Sequence, residues 1–143
     1  MSKGQSLVIQ FIAFFLIGFS LFVSTSNIFQ YQSKAFQDMI IDSSLNLSNS
    51  YLSSAIIATI NSCKNCDSVN ITVKLQNTTA DYVLGIGISQ ASGLSVSIPP
   101  IGKYSSSNVH NIISFLTQCS GNSTSNKPIS LTFNKNQNKL EVK

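Results

Sequence analysis

The chain has 143 residues, 43% of them hydrophobic and only 10% charged, with nine Lys, no Arg and a formal net charge of +4. That charge content lies well below the roughly 25% of ordinary soluble domains; 26 Ser, 8 Thr and 14 Asn fill the difference. The length suits one domain, the lack of Arg speaks against base-reading nucleic-acid recognition, the absence of a like-charge block against a charged disordered tail, and three Cys with one His against a metal-dense or disulfide-dense miniprotein.

No charged residue lies between Lys3 and Lys34, and within that window residues 7–23 read LVIQFIAFFLIGFSLFV, interrupted only by Gln10, Gly18 and Ser20. Seventeen helical residues rise about 26 Å, and continuing through Ser24 to Phe29, with hydroxyls able to bond back to helix carbonyls, completes a bilayer span of about 30 Å. One reading is a retained single-span anchor. Another is a secretory signal peptide ending near Ser24-Thr25-Ser26, although the apolar run exceeds the usual h-region of about 7–15 residues. A third rests on Lys3-Gly4-Gln5-Ser6, directly before the run. That tetrapeptide ahead of a hydrophobic helix resembles the class III, prepilin-type signal of archaeal type IV pilin-like proteins. The resemblance implies processing between Gly4 and Gln5 on the cytoplasmic side, with the helix retained as filament core or membrane anchor. Such pilins often carry Glu shortly after the cut, where this chain has Leu7, Val8 and Ile9; the departure points to a minor or accessory subunit. Phe11-Ile12-Ala13 within the run also resembles the uncleaved archaellum accessory proteins FlaG and FlaF, which implies an extracytoplasmic β-sandwich. Both resemblances stay open.

Lys3 and the α-amino group flank one side of the run, and Lys34, Asp38 and Asp42 the other. Lysine counting favours a cytoplasmic N-terminus, and a Ser/Thr/Asn-rich remainder carrying all three Cys agrees with export. The expected organisation is a stub and transmembrane or pilin-like helix over 1–33, an amphipathic helical stalk over 34–62, and an extracytoplasmic β domain over 63–143.

Residues 28–62 predict helix, with Phe29, Phe36, Ile40, Leu47 and Tyr51 as an apolar stripe extended by Ala55, Ile56 and Ile60. Gly and Pro are absent from Ser20 to Cys63, while the many Ser residues suggest a kink near 42–44. The period then changes to two. Val69, Ile71, Val73 and Leu75 predict a first strand, followed by turn residues 77–81. Leu84, Ile86 and Ile88 predict a second, with Gly85 and Gly87 on its other face signalling close approach or a bulge. Leu94, Val96 and Ile98 predict a third, stopped by Pro99-Pro100. A short helix is expected from Ser107 as N-cap to Cys119, on Val109, Ile112, Ile113 and Leu116. A loop is expected over 120–128, then a hairpin carrying Ile129, Leu131 and Phe133 against Leu140 and Val142. The fold class is α+β: a long N-terminal helix, membrane-spanning then amphipathic, plus a small antiparallel sheet or incomplete sandwich of five strands with one short helix. Helical residues 45–60 are its expected cover. About 80 residues make a marginal core, so a disulfide or a neighbouring subunit is expected to support it.

Cys63-Lys64-Asn65-Cys66 is the sharpest local motif. It lacks the βαβ context of a redox pair. Cys63, Cys66, Cys119 and His110 form one Cys3His inventory on paper, without zinc-finger spacing. A structural disulfide is the main reading. Pairing Cys63 or Cys66 with Cys119 would close a loop of more than fifty residues, worth about 4 kcal/mol, whereas Cys63–Cys66 would close a tight one. His110 falls opposite the apolar stripe of its expected helix. Asp38, Asp42, Asp67, Asp81 and Glu141 are well separated in sequence, and no Gly-rich phosphate loop occurs. No catalytic residue, cofactor or metal is expected. Four Asn-x-Ser/Thr sequons occur, at Asn46, Asn70, Asn77 and Asn122; Asn77 and Asn122 fall in expected turns and are the better acceptors.

The sequence therefore leads to a non-enzymatic, single-span surface-structure subunit, pilin-like or archaellum-associated, assembling through its helix and binding protein partners through its β domain. The expected partners are membrane lipid and protein subunits of a filament or envelope assembly, with no nucleic acid and no small-molecule substrate. The alternative is a membrane-anchored or secreted binding module for an envelope component.

Overall fold

The computed structural model describes residues 3–63, 65–76, 78, 79, 81–90, 93–108 and 118–143, with side chains from residue 7 onward. The chain divides into two units, Met1–Met39 and Ile40–Lys143. A single helix, α1, runs from Lys3 to Ser62 and contributes to both.

In the first unit the helix carries the apolar run, with side chains such as Phe11, Phe14 and Phe22 about 70% exposed. Where hydrophobicity ends, hydroxyls fold back on the backbone. Ser24 Oγ donates to the Ser20 carbonyl (2.8 Å), and Thr25 Oγ1 lies 3.0 Å from the carbonyls of Leu21 and Phe22, so polar side chains sit on the helix without unmet donors. No gap opens in the helix near 42–44: α1 continues through Asp42–Ser44. Burial of Ile41 and Leu45 on either side holds that turn, and tertiary packing outweighs the weak helix propensity of Ser.

The second unit joins residues 40–62 of α1 to one seven-stranded sheet. The strands are β1 (Ser68–Val73), β2 (Gly85–Ser89), β3 (Gly93–Ile98), β4 (Lys103–Ser107), β5 (Gln118–Thr124), β6 (Ile129–Asn134) and β7 (Lys139–Val142). Their order is β1-β6-β7-β5-β2-β3-β4. All neighbours are antiparallel except β5 and β7, which run parallel with Cys119 opposite Leu140 and Gly121 opposite Val142. The α+β architecture is as the sequence indicates, with two strands more than expected and a mixed rather than purely antiparallel sheet.

Alternation assigns each strand residue to a face. One face carries Val73, Ile86, Ile88, Leu94, Val96, Ile98, Ile129, Leu131, Phe133, Leu140 and Val142, all buried with Ile41, Leu45, Leu52, Ile56 and Ile60 of α1. The expected stripe on α1 is corrected here. Ile56 and Ile60 belong to the buried face, but Phe36, Ile40, Leu47 and Tyr51 are exposed. Helix periodicity registers two apolar stripes, and the sheet takes the one that begins at Ile41.

The missed strands are β4 and β5. The helix expected from Ser107 as N-cap to Cys119 is overturned at its end, because Cys119 lies in β5, and Ser107 closes β4; its middle, with His110, lies outside the described residues. The loop expected over 120–128 is β5 as far as Thr124. A 3-10 turn over Pro99–Ile101 and Gly102 in the left-handed region (φ 67°) reverse the chain from β3 into β4. Gly121 (φ 133°) is obligatory: a Cβ there would fall 1.9 Å from the Val142 carbonyl oxygen, inside the parallel pair. Gly85 and Gly87 make the close approach expected of them. They lie opposite Ser97 and Ser95, whose hydroxyl oxygens would sit 3.2 Å from an added Cβ.

Candidate functional site

Among the described residues the candidate sites are surfaces, beginning with α1. Its apolar run over residues 7–23 is exposed throughout. Length and composition suffice to cross a membrane. Gly4 and Gln5, the expected processing pair, lie in the first helical turns. Within the second unit the helix keeps a further exposed apolar row, Ile40, Leu47 and Tyr51, on its side away from the core.

The contact between α1 and edge strand β4 is polar, and the sequence reading missed it. Asn49, 5% exposed, donates through Nδ2 to Ser105 Oγ (3.2 Å) and accepts at Oδ1 from Ser107 Oγ (3.1 Å). Ser105 Oγ also donates to Asn46 Oδ1 (2.8 Å). Ser53 and Ser107 hydroxyls are 2.8 Å apart, and Ser53 Oγ lies 2.8 Å from the Asn49 carbonyl. The two hydroxyl protons of Ser53 and Ser107 thus serve three contacts, to the Asn49 carbonyl, to Asn49 Oδ1 and between the two hydroxyls themselves, which couples the side chains into one network. Lys103 Nζ reaches Asp42 Oδ1 at 3.0 Å beside it. Asn46, Asn49 and Ser53 are three and four residues apart, so a polar stripe at helical spacing was the available signal.

The outer face of the sheet, turned from the core, is almost wholly hydroxyl and amide. Ser68, Asn70 and Thr72 of β1 continue into Ser130 and Thr132 of β6, Ser120, Asn122 and Thr124 of β5, and Ser95 and Ser97 of β3. Charge enters this face on β7 and just after it. Glu141 lies between Lys139 (2.6 Å) and Lys143 (3.1 Å). Hydrogen bonding, from Lys139 first and then Lys143, holds its carboxyl below the usual carboxylate range. Tyr104 stands exposed on β4, opposite Ser97.

Cys63 and Cys66 are joined by a disulfide, directly after α1 ends. The tight-loop alternative is therefore the one formed, and Cys119 is a free, buried thiol raised in pKa by desolvation. With two thiols consumed, the Cys3His inventory cannot ligate as a set, and no group of three or more metal-ligating side chains occurs among the described residues. The candidate sequons separate by environment. Asn46 is exposed within α1 and Asn70 exposed on edge strand β1. Asn122, expected in a turn, lies instead in interior strand β5, because parallel pairing with β7 draws a segment with a single buried hydrophobe into the sheet. Asn77 lies outside the described residues.

No protein-family model matches the chain, and no curated protein or solved structure matches it either.

Proposed function

We propose that this chain is a non-enzymatic, single-span subunit of a surface structure. It is held in the membrane, and to neighbouring subunits, by the first half of α1, and it offers its β domain to protein partners on the outer side of the membrane. The observation that carries the reading is the exposed, uncharged apolar helix surface over residues 7–23, continuous in chain and helix with the segment that covers the sheet. Free in water, so large an apolar surface is unstable; lipid or other helices satisfy it. Lysine placement supports a cytoplasmic N-terminus, and a Cys63–Cys66 disulfide suits an oxidising compartment. The tetrapeptide Lys3-Gly4-Gln5-Ser6 resembles a prepilin-type signal and favours the pilin-like form; an archaellum accessory role shares the architecture without the cut.

The test compares oligomeric state with and without residues 1–33. The second unit begins at Ile40 and has its own core, so the truncated chain keeps a complete fold. Filaments or defined oligomers only with the helix support assembly, and identical monomers sink it. The N-terminal residue of native material then separates the two forms: Gln5 means processing as in pilins, and an intact start means the uncleaved form. That self-contained core also favours the second reading, an anchored binding module for an envelope component, whose β domain would function without the helix.

A further inference from the structure

We propose that Asn70 is an N-glycosylation site, and that the glycan is the guard of an otherwise undefended sheet edge. The inference rests on the reading that the β domain lies outside the membrane. Its starting point is β1, which among the described residues pairs with β6 alone and so turns alternate N–H and C=O groups away from the sheet. Proteins blunt such edges with charge, proline or bulges. The segment Ser68-Val69-Asn70-Ile71-Thr72-Val73 has none of these, and its residues favour strand pairing. Val69 and Ile71, on the core face, are only half-buried. At the centre of this edge sits a sequon.

The geometry of Asn70 suits the chemistry. It lies on the outer face, exposed, with Thr72 two residues on and therefore on the same face. A strand projects the Asn amide and the +2 hydroxyl from one face, where a single approaching enzyme can meet both. Ser130 Oγ donates to Asn70 Oδ1 at 2.7 Å; holding the carboxamide by its oxygen turns Nδ2, the reacting atom, the other way. As an edge, β1 can be approached from the side. The other described sequons lack these features. Asn46 and Ser48 lie in α1, where residues i and i+2 do not face each other. Asn122 and Thr124 share a face, but β5 is enclosed by β7 and β2, and Thr124 Oγ1 donates to Asn126 Oδ1.

The step requires a lipid-linked oligosaccharide phosphate and a membrane glycosyl transferase. Asn70 Nδ2 attacks the anomeric carbon, and the new C–N bond forms as the carbon–oxygen bond to phosphate breaks. The lipid phosphate leaves with the electron pair, and the amide proton passes to a base of the transferase.

Lysine spacing makes the test clean. Trypsin places Asn46 in peptide 35–64, Asn70 in 65–74, Asn77 in 75–103 and Asn122 in 104–135, since Lys127 precedes Pro128. Full-length protein from its own host is reduced and alkylated, which parts peptide 65–74 from peptide 35–64 at the Cys63–Cys66 bond, then digested and weighed, and intact cells in parallel are treated with a membrane-impermeant lysine reagent. The expected result is a sugar mass on peptide 65–74, with the domain labelled from outside. Labelling without that mass, or sugar only on other peptides, overturns the inference and leaves the proposed function standing. No labelling overturns both. Thr72→Ala, which keeps Asn70 and its bond from Ser130, should lose the mass, and Thr72→Ser should retain it. Detergent-extracted Thr72→Ala protein should also shift to larger species on gel filtration, whereas Thr72→Ser should not. Sugar retained in Thr72→Ala would refute enzymatic transfer at this sequon, and unchanged size after its loss would refute the guarding role.

Discussion

The two parts of α1 obey different rules though they are one helix. Over residues 7–23 hydrophobic side chains point in every direction and all are exposed; over 40–62 one row, Ile41, Leu45, Leu52, Ile56 and Ile60, is buried against the sheet. An all-round apolar helix needs a surrounding apolar medium, while a one-sided helix needs a single apolar partner. The difference also shows in the use of polar residues. Just past the first part Ser24 and Thr25 bond back to their own helix; in the second part Ser54, Thr59 and Ser62 do the same, but Asn46, Asn49 and Ser53 also bond outward to β4.

The sharpest break in that comparison comes from matched phenylalanines. Phe133 is 2% exposed in the core and Phe15 63% exposed on the apolar run. Phe133→Ala should cost about 3–5 kcal/mol in urea unfolding of the β domain, while Phe15→Ala should leave its midpoint where it was; equal effects would mean the two regions share one core. Next, Phe14→Lys places a charge near the middle of the run. It should disfavour membrane insertion by about 3 kcal/mol, read as protein released from the membrane fraction, and full retention would contradict the lipid-facing role. Asn49→Ala removes the centre of the α1–β4 network and leaves Ser105 and Ser107 without that partner. A loss of about 1–3 kcal/mol is expected, checked by denaturation and by restored stability in a Ser105→Ala, Ser107→Ala background. The smallest effect belongs to Glu141. Its pKa is depressed in the fold, so its stabilising contribution is complete above the ordinary Glu pKa and fades as pH falls through the depressed value. Glu141→Gln should slightly flatten the acid side of the stability curve; a steeper acid limb would reverse the assigned sign.

How far the sequence could be read depended on which partner each residue meets. Residues 7–23 were legible as a long apolar helix because composition alone marks one. Strands β1, β2, β3, β6 and β7 were legible because Val, Ile, Leu and Phe alternate against a buried face. Strand β4 was hidden because its inward residues are Lys103, Ser105 and Ser107, which meet Asp42, Asn46 and Asn49 rather than hydrocarbon. Strand β5 was hidden because Gly121 and Ser123 fill its core-facing positions, where the Val142 backbone leaves no room beside Gly121 for a side chain. The disulfide was open for a related reason: Cys119 is as hydrophobic in its burial as any core residue, and three cysteines in sequence do not say which one packs instead of pairing. Closing only the Cys63–Cys66 loop contributes about 2 kcal/mol in the chain-entropy model, less than the long loop would.

The single parallel pair has a consequence for how the domain is made. Strands β1, β6 and β7 form one ladder and β5, β2, β3 and β4 another, and the β5–β7 pair joins them. Since β7 follows every other strand in chain order, the β5-β2-β3-β4 ladder can assemble early during synthesis, but it stays unsealed along β5 until β7 emerges. Residues Lys139–Val142 are the keystone of the sheet. Such late, non-local closure slows folding, and a nascent chain stalled before them would leave the ribosome with β5 as a raw edge.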